Sequence, residues 1–197
     1  NNGALKLKDV NTLIDKLNVD VQFAGNKVII NNISAALGKG SMTGNGTYAL
    51  RSTAKDAYKF ALQAKNAEID SSIFKGRINA DVAVSPHSYR VNRRAVGSEK
   101  EVYGYRPFVK AAIRLDDVLI NMPTVPAFGD SDTNMGLDVT VTLGPKVHLY
   151  NKYLYNMWLK GGLHIGGSTR YKIATGTVES TEGTVTYLRT IFKLNKA

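Results

Sequence analysis

The sequence predicts an all-β protein, and three observations carry that expectation. Apolar and polar residues alternate almost from end to end, short breaks rich in glycine, asparagine and aspartate recur between the alternating runs, and one stretch alone has helical spacing. Val19, Val21 and Phe23 sit two apart, as do Ile78, Ala80, Val82 and Val84. The same holds for Val109, Ala111, Ile113 and Leu115, and for Leu137, Val139, Val141 and Leu143. Strand side chains point to opposite faces with a period of two, so each run builds one oily and one wet face. The oily face has to lie against another sheet, a helix layer, or something that is not protein.

Taken in order, Val10, Leu13, Ile14 and Leu17 are spaced like one face of a helix, with Asp9 placed to cap it, and predict one short N-terminal helix. Gly25-Asn26 separates the runs 19–23 and 28–30 by the two residues of a tight hairpin. Gly38-Lys39-Gly40 and Gly44-Asn45-Gly46 break the next stretch, each as a turn or a bulge. Tyr58, Phe60, Leu62 and Ala64 alternate, which makes 55–67 a strand. Residues 85–106 hold Pro86, paired arginines and Gly97-Ser98 without a sustained period, and read as a long loop between two halves. Asp116-Asp117 stands between Ile113/Leu115 and Val118/Ile120 as a second hairpin. Residues 123–134, with Pro126, Gly129 and two aspartates, form a second irregular stretch. Asn151-Lys152 turns the chain between 147–150 and 153–159. Residues 107–120 also echo residues 172–185: Ile113 meets Val178, Asp117 meets Glu182 and Ile120 meets Val185. Such an echo is what a sheet grown from repeated units leaves in a sequence.

Length and composition fit a single folded domain over 1–197, with 43% hydrophobic and 21% charged residues. No window holds the ~18 consecutive apolar residues that span a bilayer as a helix. Asn1-Asn2-Gly3-Ala4 lacks the pattern of a signal peptide. Both ends fall in mid-pattern, so the expectation is a piece of a longer protein whose targeting information lies outside it. The absence of cysteine removes disulfides and thiolate metal sites and leaves cytosol and periplasm both open. A net charge of +10 favours anionic partners. Much of it gathers at Arg90, Arg93, Arg94, Lys100, Arg106 and Lys110. A solvated loop is the plain reading of that cluster; contact with anionic headgroups or a partner through Arg93, Arg94 and Arg106 is the functional one.

Enzyme signatures fail one after another, and neither catalysis nor a cofactor is expected. His87, His148 and His164 are scattered, with no H-E-x-x-H pair and no carboxylate at ligand spacing. The glycines make no dinucleotide fingerprint, phosphate loop or nucleophile elbow. Asp130-Ser131-Asp132-Thr133-Asn134 resembles the start of a calcium loop, but its glycine comes one place late at Gly136 and Val141 stands where a bidentate glutamate belongs. Tyr150, Tyr153, Tyr155 and Trp158 lie among Lys146, Lys152 and Lys160, which is how bases are stacked and phosphate held. No nucleic-acid-binding module accompanies them, and aromatics are simply good strand formers, so no nucleic-acid partner is expected.

Residues 137–194 carry a resemblance. An amphipathic strand leads to an L-x-G-x-L-x-I-x-G-like segment at 159–166, followed by Gly176-Thr177-Val178, Gly183-Thr184-Val185-Thr186-Tyr187 and Phe192-Lys193-Leu194. These phrases resemble the C-terminal region of TamB-like proteins, a group of AsmA-like bridge-type lipid transfer proteins. Arg106-Pro107-Phe108-Val109, leading to Ile113-Arg114-Leu115-Asp116-Asp117-Val118, looks like an earlier copy, and 40–50 and 74–84 are similar to upstream repeats. Two departures stand out: 172–174 lacks the proline common before the x-G-x-V strand, and Ala111 and Ala112 stand where glycine is common. The resemblance implies an elongated antiparallel sheet folded over itself, a β-taco, around a continuous apolar groove. It implies the periplasmic portion of a protein anchored in the inner membrane of a two-membrane bacterium, the anchor being N-terminal to this chain. The implied partners are phospholipid acyl chains and an outer-membrane barrel protein of the TamA/BamA type. The implied role is phospholipid movement to the outer membrane; the rival is assistance to the assembly of outer-membrane barrels or autotransporters.

Physical chemistry agrees with a groove for lipid. Burying hydrocarbon gains about 0.8 kcal/mol per CH₂, so exposing two long acyl chains costs on the order of 20 kcal/mol. A trough lined by aliphatic side chains removes most of that penalty at each step, while heads ride at an open edge where lysine and arginine are welcome. The residues expected to line it are Val19, Val21, Phe23, Phe60, Leu62, Ile78, Val82, Ile113, Leu115, Ile120, Leu137, Val139, Val141, Leu143, Leu163 and Ile165. A closed sandwich, with these side chains as ordinary core, is the competing architecture that alternation alone favours.

Overall fold

Short connections between alternating runs leave each strand beside the one before it, and the sheet follows the chain. The computed structural model describes residues 3–6, 11–52, 55–91, 102–121, 134–187 and 190–194. The strands are β1 (Gly3–Lys6), β2 (Leu13–Ala24), β3 (Lys27–Leu37), β4 (Gly40–Ala49), β5 (Tyr58–Asp70) and β6 (Phe74–Val91). They continue as β7 (Val102–Asn121), β8 (Gly136–Asn151), β9 (Tyr155–Ser168), β10 (Lys172–Tyr187) and β11 (Thr190–Leu194). All eleven form one sheet in chain order, open at β1 and β11, and no described residue is helical. Neighbours pair antiparallel except β7 and β8, which run parallel, so that Phe108 faces Gly136 and Asn121 faces Tyr150.

Gly25-Asn26 forms the expected hairpin between β2 and β3, and Gly38-Lys39 turns β3 into β4. Gly44-Asn45-Gly46 lies inside β4 in regular register with β5. Three expectations are corrected. The helix over 10–17 is not there: β2 begins at Leu13, while Asp9 and Val10 lie outside the described residues. Asp116-Asp117 makes no hairpin, because β7 runs through it as one strand. The loop over 85–106 is mostly strand: β6 and β7 stay paired from Ser85–Phe108 up to Val91–Val102, and 92–101 lie outside the described residues.

The first two errors share a cause. Lys16, Asn66, Asp117 and Lys146 have φ of 52°, 48°, 57° and 59° and are the non-glycine residues with positive φ among those described. Each sits at a register shift, where one strand carries one extra residue against its neighbour, or two in β8 against β9. A bulge of this kind moves the facing residues from two apart to three apart. Ile14 and Leu17 thus share a face across Lys16, which in sequence mimics a helical stripe. Leu115 and Val118 share a face across Asp117 in the same way.

The bulges fall in one row across the sheet. Asp15, next to Lys16, faces Ala36; Ala36 faces Ser41; and Ser41 faces Lys65, next to Asn66. The Asn66 amide donates to Asn79 Oδ1 on β6 at 2.9 Å, and Arg77 faces Asp116 on β7. Leu115 and Val118 pair with Leu143 and Val147, the residues that flank the Lys146 bulge. On β10 a shift between Ser180 and Glu182 continues the row opposite Leu159 and Trp158. The acidic position of the 107–120 and 172–185 echo is therefore this row met twice. Gly40 is needed beside it, since a Cβ there would strike the carbonyl of Asn66.

Bulges bend strands, so a row of them creases the sheet. The apolar side is the inside of the crease. Val147 and Val118 are 0% and 2% exposed although every described strand belongs to this one layer. Phe74, Ile78, Ile113, Ile120, Val141, Leu143 and Leu159 pack around them. On the opposite side of the same row Lys16, Asn66, Asp117 and Lys146 are all exposed. The β3–β4 hairpin stops at the crease; past it β2 leads back to β5, with Asn11 N–H donating to Asp70 O at 2.6 Å and Asp70 N–H to Thr12 Oγ1 at 2.7 Å.

Two stability outcomes follow from this row. Val147→Ala is expected to cost about 2 kcal/mol through lost burial and a residual cavity, read as a lower urea midpoint with an unchanged slope. Lys146→Gly is expected to raise stability by up to about 1 kcal/mol, because glycine adopts the left-handed conformation without the Cβ clash.

Candidate functional site: an open apolar trough

Cross-strand pairing aligns the aliphatic positions into rows. Val19, Ile33, Gly44, Leu62, Val82, Ala111, Val139 and Ile165 follow one another from β2 to β9. The next row toward the crease is Met42, Ala64, Ala80, Ile113, Val141 and Leu163. Val21, Ile30, Gly46, Phe60, Val84, Val109 and Leu137 make the row above. Phe23 pairs with Val28 at the hairpin end, and Ile78, Leu115 and Leu143 stand just above the crease. Ile120 lies below it beside Leu149. All sixteen residues expected to line a groove therefore fall on one face of one sheet.

Neighbouring alanines show which face is covered. Ala111 is 7% exposed on the aliphatic side, while Ala112, one residue on, is exposed on the other. Gln63, Asp81, Thr140 and His164 share the outer row with Ala112. Gln63 donates to Asp81 Oδ1 at 2.7 Å, and Asp138 receives His164 Nε2 at 2.9 Å and Lys110 at 3.9 Å. Among the described residues no three His, Cys, Asp or Glu side chains stand close enough to hold a metal ion.

The trough has unequal walls. On β8 the aliphatic run from Leu137 to Leu143 covers six residue steps, roughly 20 Å at ~3.3 Å per residue. Past the crease, Val147 to Asn151 covers four steps, roughly 13 Å. The short wall carries Val118, Val147, Leu149, Met157 and Val185, which sequence reasoning did not assign to the site. For Val118 the signal was a jump in phase, since alternation resumes one residue late after Asp117, whereas Val147 and Leu149 keep the phase of Leu143 beyond a gap of four residues.

Two hollows lie on the polar outer face. One of about 690 Å³ is bordered by Asn45, Gln63, Asp81, Lys110, Asp138 and Thr140. The other, of about 820 Å³, follows the crease past Lys16, Glu68, Asp117, Lys146, His148 and Trp158. A twisted sheet is a saddle, so a face that is convex along the strands is hollowed across them. Charges in the second hollow are matched: Lys75 with Asp70 and Arg77 with Asp117, each at 3.2 Å, while Glu68 Oε2 accepts the Lys39 amide at 3.1 Å. His148 stacks on Trp158 with centroids 4.5 Å apart.

Of the expected cationic contacts, Arg93 and Arg94 lie outside the described residues. Arg106 sits on β7 beyond the start of β8, with its guanidinium 5.6 Å from the Tyr89 ring and a buried Nε that has no hydrogen-bond partner. Burial raises the Tyr58 hydroxyl above its ordinary value. A raised folded-state value means that folding favours the protonated form, so stability is intact below the unfolded value near 10 and falls as pH rises through it. Comparison with known protein families, with curated proteins and with solved structures finds no match for this chain.

The opposed alanines test the face assignment directly. Ala111→Asn is expected to destabilise by about 2 kcal/mol by placing an unpaired amide among aliphatic groups, while Ala112→Asn stays within about 0.5 kcal/mol. Paired denaturation curves read the difference. Tyr58→Phe is expected to reduce the loss of melting temperature above pH 10, since the replacement cannot ionise.

Proposed function

We propose that this chain is a non-enzymatic segment of a bridge-type lipid conduit, similar to TamB-like proteins, which carries phospholipid between two membranes along its apolar trough. The observation that supports this reading most is the continuity of the aliphatic rows from β2 to β9 with no second layer over them among the described residues. A surface of this length lined only by Val, Ile, Leu, Phe, Met, Ala and Gly has no charge to hold a head and no deep single well. Uniform lining suits passage rather than storage. An open sheet with free edges does not lie in hydrocarbon itself, because its edge amides and carbonyls would be left unpaired there. The tails come to the trough instead. On this reading the chain is the periplasmic part of a protein anchored in the inner membrane, with a TamA/BamA-type barrel as its partner at the outer membrane.

A rival from another class rests on the same open sheet. The outer edges of β1 and β11 have no neighbouring strand among the described residues, and such edges accept an incoming strand by backbone pairing. A scaffold for unfolded outer-membrane strands would use those edges and shelter the guest's side chains in the trough.

Photo-crosslinking residues at Val139 and Val141 are expected to capture phospholipid in a two-membrane bacterium, and those at Thr140 and Thr142, on the opposite face, are not. Equal capture at the two sets, or none at either, would sink the conduit. Capture of strand peptide without lipid transfers the assignment to the scaffold.

A further inference from the structure

The one tryptophan of the chain lies on the polar side of the sheet, opposite the trough. Trp158 stands between the inward Met157 and Leu159, and pairing sets it beside His148, which in turn stands beside Leu119. His148 stacks on the indole with centroids 4.5 Å apart and planes 14° from parallel. Its Nε2 donates to Asn156 Oδ1 at 2.6 Å, which fixes the ring there. Tyr150 adds a third ring 5.8 Å from His148, and Tyr150 and Leu119 are each 36% exposed. The trough would have taken these apolar groups, and no described strand covers them where they are. A large apolar patch in the midst of a polar face is the exposure that calls for a ligand.

The patch closes one end of the hollow that follows the crease, whose volume of about 820 Å³ is that of a ligand site. Register runs a row of side chains across it: Asp70 faces Lys75, Lys75 faces Leu119, Leu119 faces His148 and His148 faces Trp158. Four strand spacings of ~4.8 Å make that row roughly 19 Å long. Four acidic and four basic side chains border the hollow, although the chain as a whole has 26 basic residues against 16 acidic. That local balance decides between ligand classes. Nucleic acid is held by an excess of cations that neutralises its phosphates, and the hollow has no such excess. A protein interface is depleted of charge at its core, and here charge lines the floor. An uncharged polyol needs donors and acceptors in equal supply. Lys75 with Asp70 and Arg77 with Asp117, each at 3.2 Å, hold such groups in place, and every one of them keeps lone pairs or N–H groups to spare.

Sugar rings fit both parts of this surface. A pyranose presents C–H groups on its faces and hydroxyls around its edge. The face lies on an aromatic ring, whose π cloud is negative, and the edge meets carboxylate, amide and guanidinium groups. In an extended β-linked glycan one ring follows the next at close to the spacing of neighbouring strands, so successive strands meet successive rings.

We propose that the outer-face groove along the crease binds an uncharged, β-linked glycan strand laid across β5 to β9, with one ring seated on the Trp158 patch. The site lies on the other side of the sheet from the trough and does not depend on what the trough carries.

Calorimetric titration of the whole chain with cellohexaose and with the β-1,4-linked hexamer of N-acetylglucosamine tests the site, with the emission of Trp158 followed in parallel. At least one hexamer is expected to bind, with emission changing in step with the heat. The corresponding trimer is expected to bind about tenfold more weakly, or about 1.4 kcal/mol for the lost rings. Trp158→Ala should weaken binding by about tenfold or more. Lys146→Gly removes an exposed donor at a backbone position that suits glycine, so it keeps the fold, and should weaken binding about threefold. Lys110→Gln, at the other hollow, should change nothing. Failure of both hexamers to bind, binding that Trp158→Ala and Lys146→Gly leave intact, or equal binding of α-linked maltohexaose overturns the groove. Salt-sensitive binding of a thymidine hexanucleotide, tighter than either sugar, also overturns it and gives the surface to nucleic acid.

Discussion

The constraint on which this structure depends is a single transverse row where strand after strand takes in one or two residues more than its neighbour. In β2, β5, β7 and β8 that residue adopts a left-handed conformation, which costs a non-glycine residue roughly 1–2 kcal/mol. Asparagine and aspartate tolerate it better than lysine, and Asn66 and Asp117 occupy two of the four places. What the row gains is a bend in one direction at one level. Side chains just inside it converge, and Val118 and Val147 lose their contact with water. Without the row, the same alternation would give a sheet with one half-wet apolar face and nowhere to put it.

The crease also explains how a single layer holds together. Most residues of the aliphatic face are half-buried rather than buried, and the fully covered ones sit at the bottom of the trough. Stability thus concentrates along a line, while the walls above it rely on backbone pairing and lateral contact. That division suits a conduit, because a rigid spine fixes the shape and walls of uniform aliphatic character leave no well deep enough to trap a passenger. Exposed ion pairs on the outer face, such as Lys160 with Glu179 at 3.1 Å, add little to stability, since water screens them. They keep the outer side soluble and leave the inner side free of charge.

Polarity along the strands is organised as carefully as polarity across them. Aliphatic residues hold the middle of each wall and tyrosines the ends, while lysines and arginines are spread along the outer face. No catalytic step enters the proposed reading. The polar groups that approach one another, such as Asp138, Lys110 and His164, lie on the outer face, where Lys110 and Asp138 border the open hollow of about 690 Å³.

Fold class, the one-sided alternation and the shared face of the sixteen expected groove residues were legible in the sequence, because period two is a local property of the strand and survives wherever the chain is extended. The Gly25-Asn26 and Asn151-Lys152 turns were legible for the same reason: their chemistry is carried by adjacent residues. What sequence could not separate was a bulge from a turn or a helical stripe. Asp116-Asp117 read as a hairpin and Ile14/Leu17 as a helix face, since an inserted residue produces the same local spacing as either. Only pairing with the neighbouring strand distinguishes them, and that is a long-range interaction. The parallel run of β7 beside β8, the alignment of four bulges into one crease, and the short wall with Val118 and Val147 at its foot were likewise decided by tertiary structure. Each depends on which residue lies opposite which across a gap of many positions in the chain. No local pattern records that.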